Sequence, residues 1–182
     1  MLFDLTSNYF ELFGIPVSFA IDAGFLMQQY RDLQQAVHPD RFANATEQER
    51  RLSLQYATHI NEALRVLKDP LERARYLLQL RGVQWDDEQT TLSDPTFLMQ
   101  QMELRESLEQ VRGSTDPLSA IGEILDEVAQ LMHDNSQVLE NLLNSEDRDD
   151  LEKAKNQVRK MQFLSKMTAE AESLEAAIED EC

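Results

Sequence analysis

The chain has 182 residues, 42% hydrophobic and 28% charged, so it can bury a core in one large or two small domains and is not disordered by composition. The formal net charge of −17 is uneven: residues 1–75 carry 10 acids and 8 bases, whereas residues 76–182 carry 24 acids and 9 bases. An acidic surface of that kind repels phosphate backbones, which argues against nucleic acid as the partner and suits solubility or a basic protein partner.

In chain order, NYFELF (8–13) reads as a short helix stopped by Gly14, Ile15 and Pro16. Residues 20–37 carry Phe25, Leu26, Tyr30, Leu33 and Val37 at three- and four-residue spacing, which predicts a second helix. Pro39 lacks an N–H and biases its predecessor away from helix, so that helix ends near Val37 or His38. A third helix runs from Thr46, an N-cap with Glu49 three residues on, to about Lys68. Its stripe comprises Leu52, Tyr56, Ile60, Ala63, Leu64 and Leu67. Asp69-Pro70 stops it, and LERARYLLQL forms a fourth helix closed by Gly82.

Residues 82–94 lose the helical period and gain turn formers and acids, marking a linker. Ser93 or Asp94 then caps a helix to about Val111, with Pro95 in its first turn. RGSTDP (112–117) is a turn, a further helix reaches about Leu143, and residues 144–150 turn into a long helix over about 149–178. Three antiparallel helices with short connections make a bundle. Only five Gly and five Pro interrupt the chain, so the fold class is all-α.

One cysteine, Cys182, makes no internal disulfide and no zinc cage, and fits a reducing compartment. The first basic residue is Arg31, which does not fit a secretory signal or an Arg-rich transit peptide. No run approaches the roughly 18 apolar residues of a membrane span. The expectation is a cytoplasmic protein with no membrane and no nucleic acid among its partners.

His38-Pro39-Asp40 places an imidazole and a carboxylate beside a rigid turn. As an active site it would need a nucleophile, a metal or a substrate pocket, and the sequence offers no Gly-rich phosphate loop, no HExxH and no Cys partner. On composition alone it is equally well a helix stop with polar neighbours. His59 reads as a structural histidine and His133 as a solvated one.

The helix DPTFLMQQMELRESLEQV has two apolar faces. At about 100° per residue, Phe97, Leu104, Leu108 and Val111 fall within about 60° of one another. Leu98, Met99 and Met102 lie on the other side, centred roughly 150° away. The second face is either buried by another part of the chain or free for a partner, and methionine suits an adaptable surface. In the last helix Ala154, Val158, Met161 and Thr168 form an early stripe that drifts towards Leu174 and Ile178. Phe163 lies about 200° from Met161 and is either an interface anchor or core.

The ordered set NYFELFGI, amphipathic helix, HPD, long helix, NEALRVLKDPLERARY resembles the J domain of DnaJ-type co-chaperones. That resemblance implies that His38, Pro39 and Asp40, with Arg31 and Arg41 as nearest cations, engage a DnaK-type chaperone and stimulate its ATPase. The helix before HPD departs from the usual basic pattern, carrying Arg31 beside Asp32 and glutamines at 28, 29, 34 and 35. This points to a specialised partner. No Gly/Phe-rich tract and no CxxC motif follows. The whole layout, with FLMQQMELRE and RKMQFLSKM, is similar to the HscB-type co-chaperones of iron–sulfur cluster assembly. The resemblance implies an elongated or L-shaped protein with a J domain over 1–81 (a helical hairpin with the HPD loop), a linker over 82–93, and a three-helix domain over 94–182. It implies an IscU-type scaffold bound at Leu98, Met99, Met102 and Phe163, flanked by Glu103 and Glu106, and delivery to an HscA-type chaperone. It implies no cofactor, no metal and no enzymatic activity of the chain itself. The rivals are a J-domain co-chaperone for another client, a small hydrolase using His38 and Asp40, and a purely structural helical protein.

Overall fold

The computed structural model describes residues 7–42, 45–85, 94–145 and 147–181. Asn8 opens the first helix, α1 (Tyr9–Leu12), with a reciprocal cap: its side chain accepts from the Glu11 amide at 3.0 Å, and its own amide donates to the Glu11 carboxylate at 3.1 Å. Gly14 ends the turn at φ 64°, a conformation that glycine adopts without a Cβ clash, and Ile15 N–H returns to the Phe10 carbonyl at 3.0 Å. Helix α2 (Ala23–Ala36) begins three residues later than the apolar spacing predicts. Asp22 takes the cap by accepting from Phe25 N–H at 2.9 Å, so residues 20–22 stay outside the helix. Phe25 is consequently on the first turn and exposed, not part of the buried stripe as expected.

After α2, Pro39–Phe42 form a 3-10 turn. Helix α3 (Glu47–Lys68) starts at the Thr46–Glu49 capping box the sequence predicts. It is the hub of the N-terminal unit, packing against α1, α2, the 3-10 turn and α4 (Pro70–Leu80). Its buried stripe is Ser53, Tyr56, Ile60, Ala63, Val66 and Leu67, while Leu52 and Leu64 are only half-buried. Asp69 ends α3 and caps α4, accepting from Leu71 and Glu72 amides at 2.7 and 3.1 Å. Arg73 closes the same corner: Nη1 donates to the Leu67 carbonyl at 2.5 Å and the guanidinium lies 5.1 Å from the Phe19 ring. Burial pushes the Arg73 guanidinium pKa down, with Asp69 opposing. Tyr9 stacks on Tyr76 at 4.5 Å and donates its amide to the Tyr76 hydroxyl at 3.0 Å, which ties α1 to α4. His59 sets its ring edge against Tyr9 at 5.5 Å, the structural placement expected of it. Gly82, at φ 76°, follows the end of α4.

The chain divides into two compact units at Arg81/Gly82. Most of the expected linker, residues 86–93, lies outside the described residues, as do the alternative cap Ser93 and the terminal Cys182. In the second unit, α5 (Pro95–Gln110) is capped by Asp94 and runs into a 3-10 turn, Val111–Gly113, which takes up the first part of the expected RGSTDP turn. Helix α6 (Pro117–Leu143) is capped by Asp116, and a four-residue connection leads to α7 (Arg148–Glu181). Leu104, Val111, Ile121, Ile124, Val128, Leu164, Met167, Ala171 and Ile178 form one core, continued by buried Leu139, Leu143, Leu151, Ala154, Val158 and Met161. Thr168, read as a stripe residue, is only half-buried and returns its hydroxyl to the Leu164 carbonyl at 3.1 Å. Leu164 and Met167 hold the stripe there instead. The described residues are all-helical, and none of their helices is long and apolar enough to cross a membrane.

Candidate functional site

Two surfaces carry the residues singled out by the sequence. The first is the turn after α2. Val37 ends the helix, and Ser53 on α3, buried, donates its hydroxyl to the Val37 carbonyl at 2.7 Å. This satisfies an orphan acceptor at the C-terminal end of α2 and fixes where the chain leaves it. Arg41 reaches back to donate to the Gln35 carbonyl at 3.4 Å, and its amide donates to the His38 carbonyl at 3.0 Å. A cation at a helix C-terminus also complements the helix dipole.

Within the turn the Asp40 amide donates to His38 Nδ1 at 3.3 Å, and the Asp40 carboxylate lies 3.6 Å from the same nitrogen. When Nδ1 accepts the amide, the ring proton of the neutral imidazole resides on Nε2. The His38 and Asp40 side chains are 57% and 90% exposed. So the turn displays a hydrogen-bonding imidazole and a carboxylate to solvent, on a backbone held by Ser53 and Arg41. The structure brings His38, Asp40 and Arg41 together. Arg31, one turn before Gln35, is exposed on α2. The Ser53 hydroxyl beneath the turn is committed to Val37 and faces no substrate space, so it does not complete a nucleophilic dyad. Sequence reasoning passed over Ser53. The available signal was a hydroxyl in register with Tyr56, Ile60, Ala63 and Leu67 on the buried face.

The second surface is the outer face of α5. Phe97, Leu104 and Val111 are buried, as the wheel predicts, and Leu108 packs against them. Leu98, Met99 and Met102 are 39%, 62% and 72% exposed, so the three-helix bundle does not cover this face of α5. Glu103 and Glu106 are exposed beside them. Phe163 belongs in part to the core. It is half-buried, packs on the bundle core, and stands edge-on to Phe97 at 5.7 Å. The Arg105 guanidinium lies 5.6 Å from its ring centroid.

The start of α5 is locked to α7 by Lys160. Its ammonium meets the Asp94 carboxylate at 2.6 Å and lies 5.3 Å from the Phe97 ring. The Lys160 ammonium, and after it the Phe97 amide, hold the Asp94 carboxyl below the usual carboxylate range.

One unit thus presents the exposed His38 and Asp40 side chains on a fastened turn, and the other presents the apolar outer face of α5. Residues 93–172 match the family described as HSCB C-terminal oligomerisation domain. The co-chaperone HscB homologs of Shewanella baltica (strain OS195) and Shewanella halifaxensis are 46% and 47% identical over 173 residues, spanning 95% of this chain and 99% of theirs. The chaperone HscB from Vibrio cholerae superposes with a TM-score of 0.84 at 40% identity, covering 94% of this chain and 99% of that one. The human co-chaperone HscB gives 0.81 at 30% identity, over 93% and 82%. The chain belongs to the HscB family of co-chaperones.

Proposed function

We propose that this co-chaperone binds an IscU-type iron–sulfur scaffold and delivers it to an HscA-type, DnaK-like chaperone, stimulating ATP hydrolysis there and promoting cluster transfer. Residues 1–81 serve as the chaperone-facing domain, with His38, Pro39, Asp40, Arg31 and Arg41 as its contacts. Residues 94–182 hold the scaffold through Leu98, Met99, Met102 and Phe163, flanked by Glu103 and Glu106. The chain works without turnover of its own, in the cytoplasm.

The observation that carries this reading is the bare face of α5. Three large apolar side chains stand in solvent on a helix whose opposite stripe is already buried. Methionine at two of the three positions gives a surface that adapts to a partner. Asp40, exposed at the tip of a fastened turn, offers a carboxylate to a bidentate arginine with little entropy left to lose.

Steady-state ATP hydrolysis by an HscA-type chaperone, with this protein and the scaffold added singly and together, tests the proposal. A synergistic rise is expected. A rise that the scaffold does not increase would move the client elsewhere, and no rise would remove the chaperone role. A second reading comes from the family description itself, which names oligomerisation. Self-association through the α5 face predicts a concentration-dependent mass in sedimentation equilibrium that Met102→Glu abolishes. A constant monomer mass excludes it.

A further inference from the structure

We propose that Arg105 pairs with a carboxylate on the scaffold and thereby fixes which way round the scaffold lies on α5. This rests on the reading of the α5 face as the scaffold-binding surface. On the helix wheel Arg105 falls about 20° from Leu98, and Glu103 about 40° from Met99, at the opposite edge of the apolar ridge. The ridge therefore has Arg105 at one edge and Glu103 at the other, with Glu106 and Glu109 at angles between them. A purely apolar face would accept a partner in either direction, whereas opposite charges at its two edges penalise the reversed pose by juxtaposing like charges.

The placement of Arg105 favours such a role. Its side chain is exposed, and among the described residues no carboxylate pairs with it. Other cations of the same unit are spent within the chain: Lys153 on Asp150 and Lys160 on Asp94. The guanidinium instead lies over the Phe163 ring, 5.6 Å from its centroid, a contact that uses none of its N–H groups in a hydrogen bond to a carboxylate. Stacking restrains the side chain before binding, so less freedom is lost when a carboxylate arrives. Arg105 also joins the two halves of the surface, since it spans from the α5 ridge to the aromatic ring of α7. The occupant it fits is the folded scaffold protein with an acidic residue beside an apolar patch.

Calorimetric titration of the full chain with an IscU-type scaffold, at low and at high ionic strength, tests this with Arg105→Glu, Arg105→Lys and Leu98→Ala. Arg105→Glu should raise Kd about tenfold at low salt, with most of the loss screened away at high salt. Arg105→Lys should fall between the parent and Arg105→Glu, because the charge is kept while the restraint on the side chain is reduced. If Arg105→Glu binds like the parent while Leu98→Ala weakens binding, the inference fails and the reading of the face stands. If Leu98→Ala also binds like the parent, the reading fails and this inference with it. An equal loss at both salt concentrations, accompanied by a lower melting temperature, would make Arg105 a packing partner of Phe163 and overturn the proposal.

Discussion

One buried hydroxyl, on Ser53, anchors the end of α2 from a neighbouring helix. Ser53→Ala leaves the Val37 carbonyl without that partner in a site where water has little access, at a cost of about 1–3 kcal/mol. Urea denaturation should show a lower midpoint with an unchanged slope. Chaperone stimulation should fall as well, although His38 and Asp40 are intact, because the backbone leading into them is no longer fixed. Unchanged stimulation in the folded variant would show that the turn holds its geometry without Ser53. The turn itself was legible in the sequence, since proline and aspartate act locally on their own backbone. The Ser53–Val37 bond was not, since it joins residues 16 apart through the packing of two helices. The start of α2 was misplaced for a related reason. Apolar spacing extends to residue 20, but the Asp22 side chain competes for the first free amides and wins.

At the scale of the element, α5 separates two kinds of apolar residue that composition cannot tell apart. Leu104 is 2% exposed and Met102 is 72% exposed, two positions apart. Leu104→Ala should cost about 2–5 kcal/mol and lower the melting temperature of the unit. The Leu98→Ala/Met102→Ala pair should barely move it while weakening scaffold binding. Thermal melts of both variants with circular dichroism check the contrast, and an early melt of the double variant would return that face to the core. The two faces were legible because α5 is short enough for the wheel to hold. In the 34-residue α7 the reading degraded along the helix. An ideal helix drifts about 20° per heptad against a strict seven-residue repeat, so an early stripe misplaces later core residues such as Leu164 and Met167.

The seam between α5 and α7 responds to pH. Lys160 and the Phe97 amide depress the Asp94 pKa in the folded state, so the contact is fully present above the unfolded carboxylate pKa. It is lost as pH falls through the lower, folded value. Asp94→Asn should therefore be less stable than the parent at neutral pH, and the difference should shrink in the acid range below about pH 4. Denaturation midpoints across that range test this, and a constant difference would mean that the amide loses a hydrogen bond rather than a charge.

For the whole molecule, the two candidate surfaces lie in different compact units, each with its own buried core. Neither surface needs the other to be formed. Linkage then predicts separable losses. His38→Gln removes the imidazole of the exposed turn and should abolish ATPase stimulation while leaving scaffold affinity unchanged. Leu98→Ala/Met102→Ala should do the reverse, weakening scaffold binding while leaving the scaffold-independent stimulation intact. The synergy between the scaffold and this chain should vanish in both, because it arises from holding client and chaperone on one molecule, where each raises the effective concentration of the other. Mixing the two variants decides the point. If each surface served a separate complex, one variant would supply what the other lacks and synergy would return. If the chain acts as a covalent bridge, no mixture restores it, since the turn and the α5 face must belong to the same polypeptide.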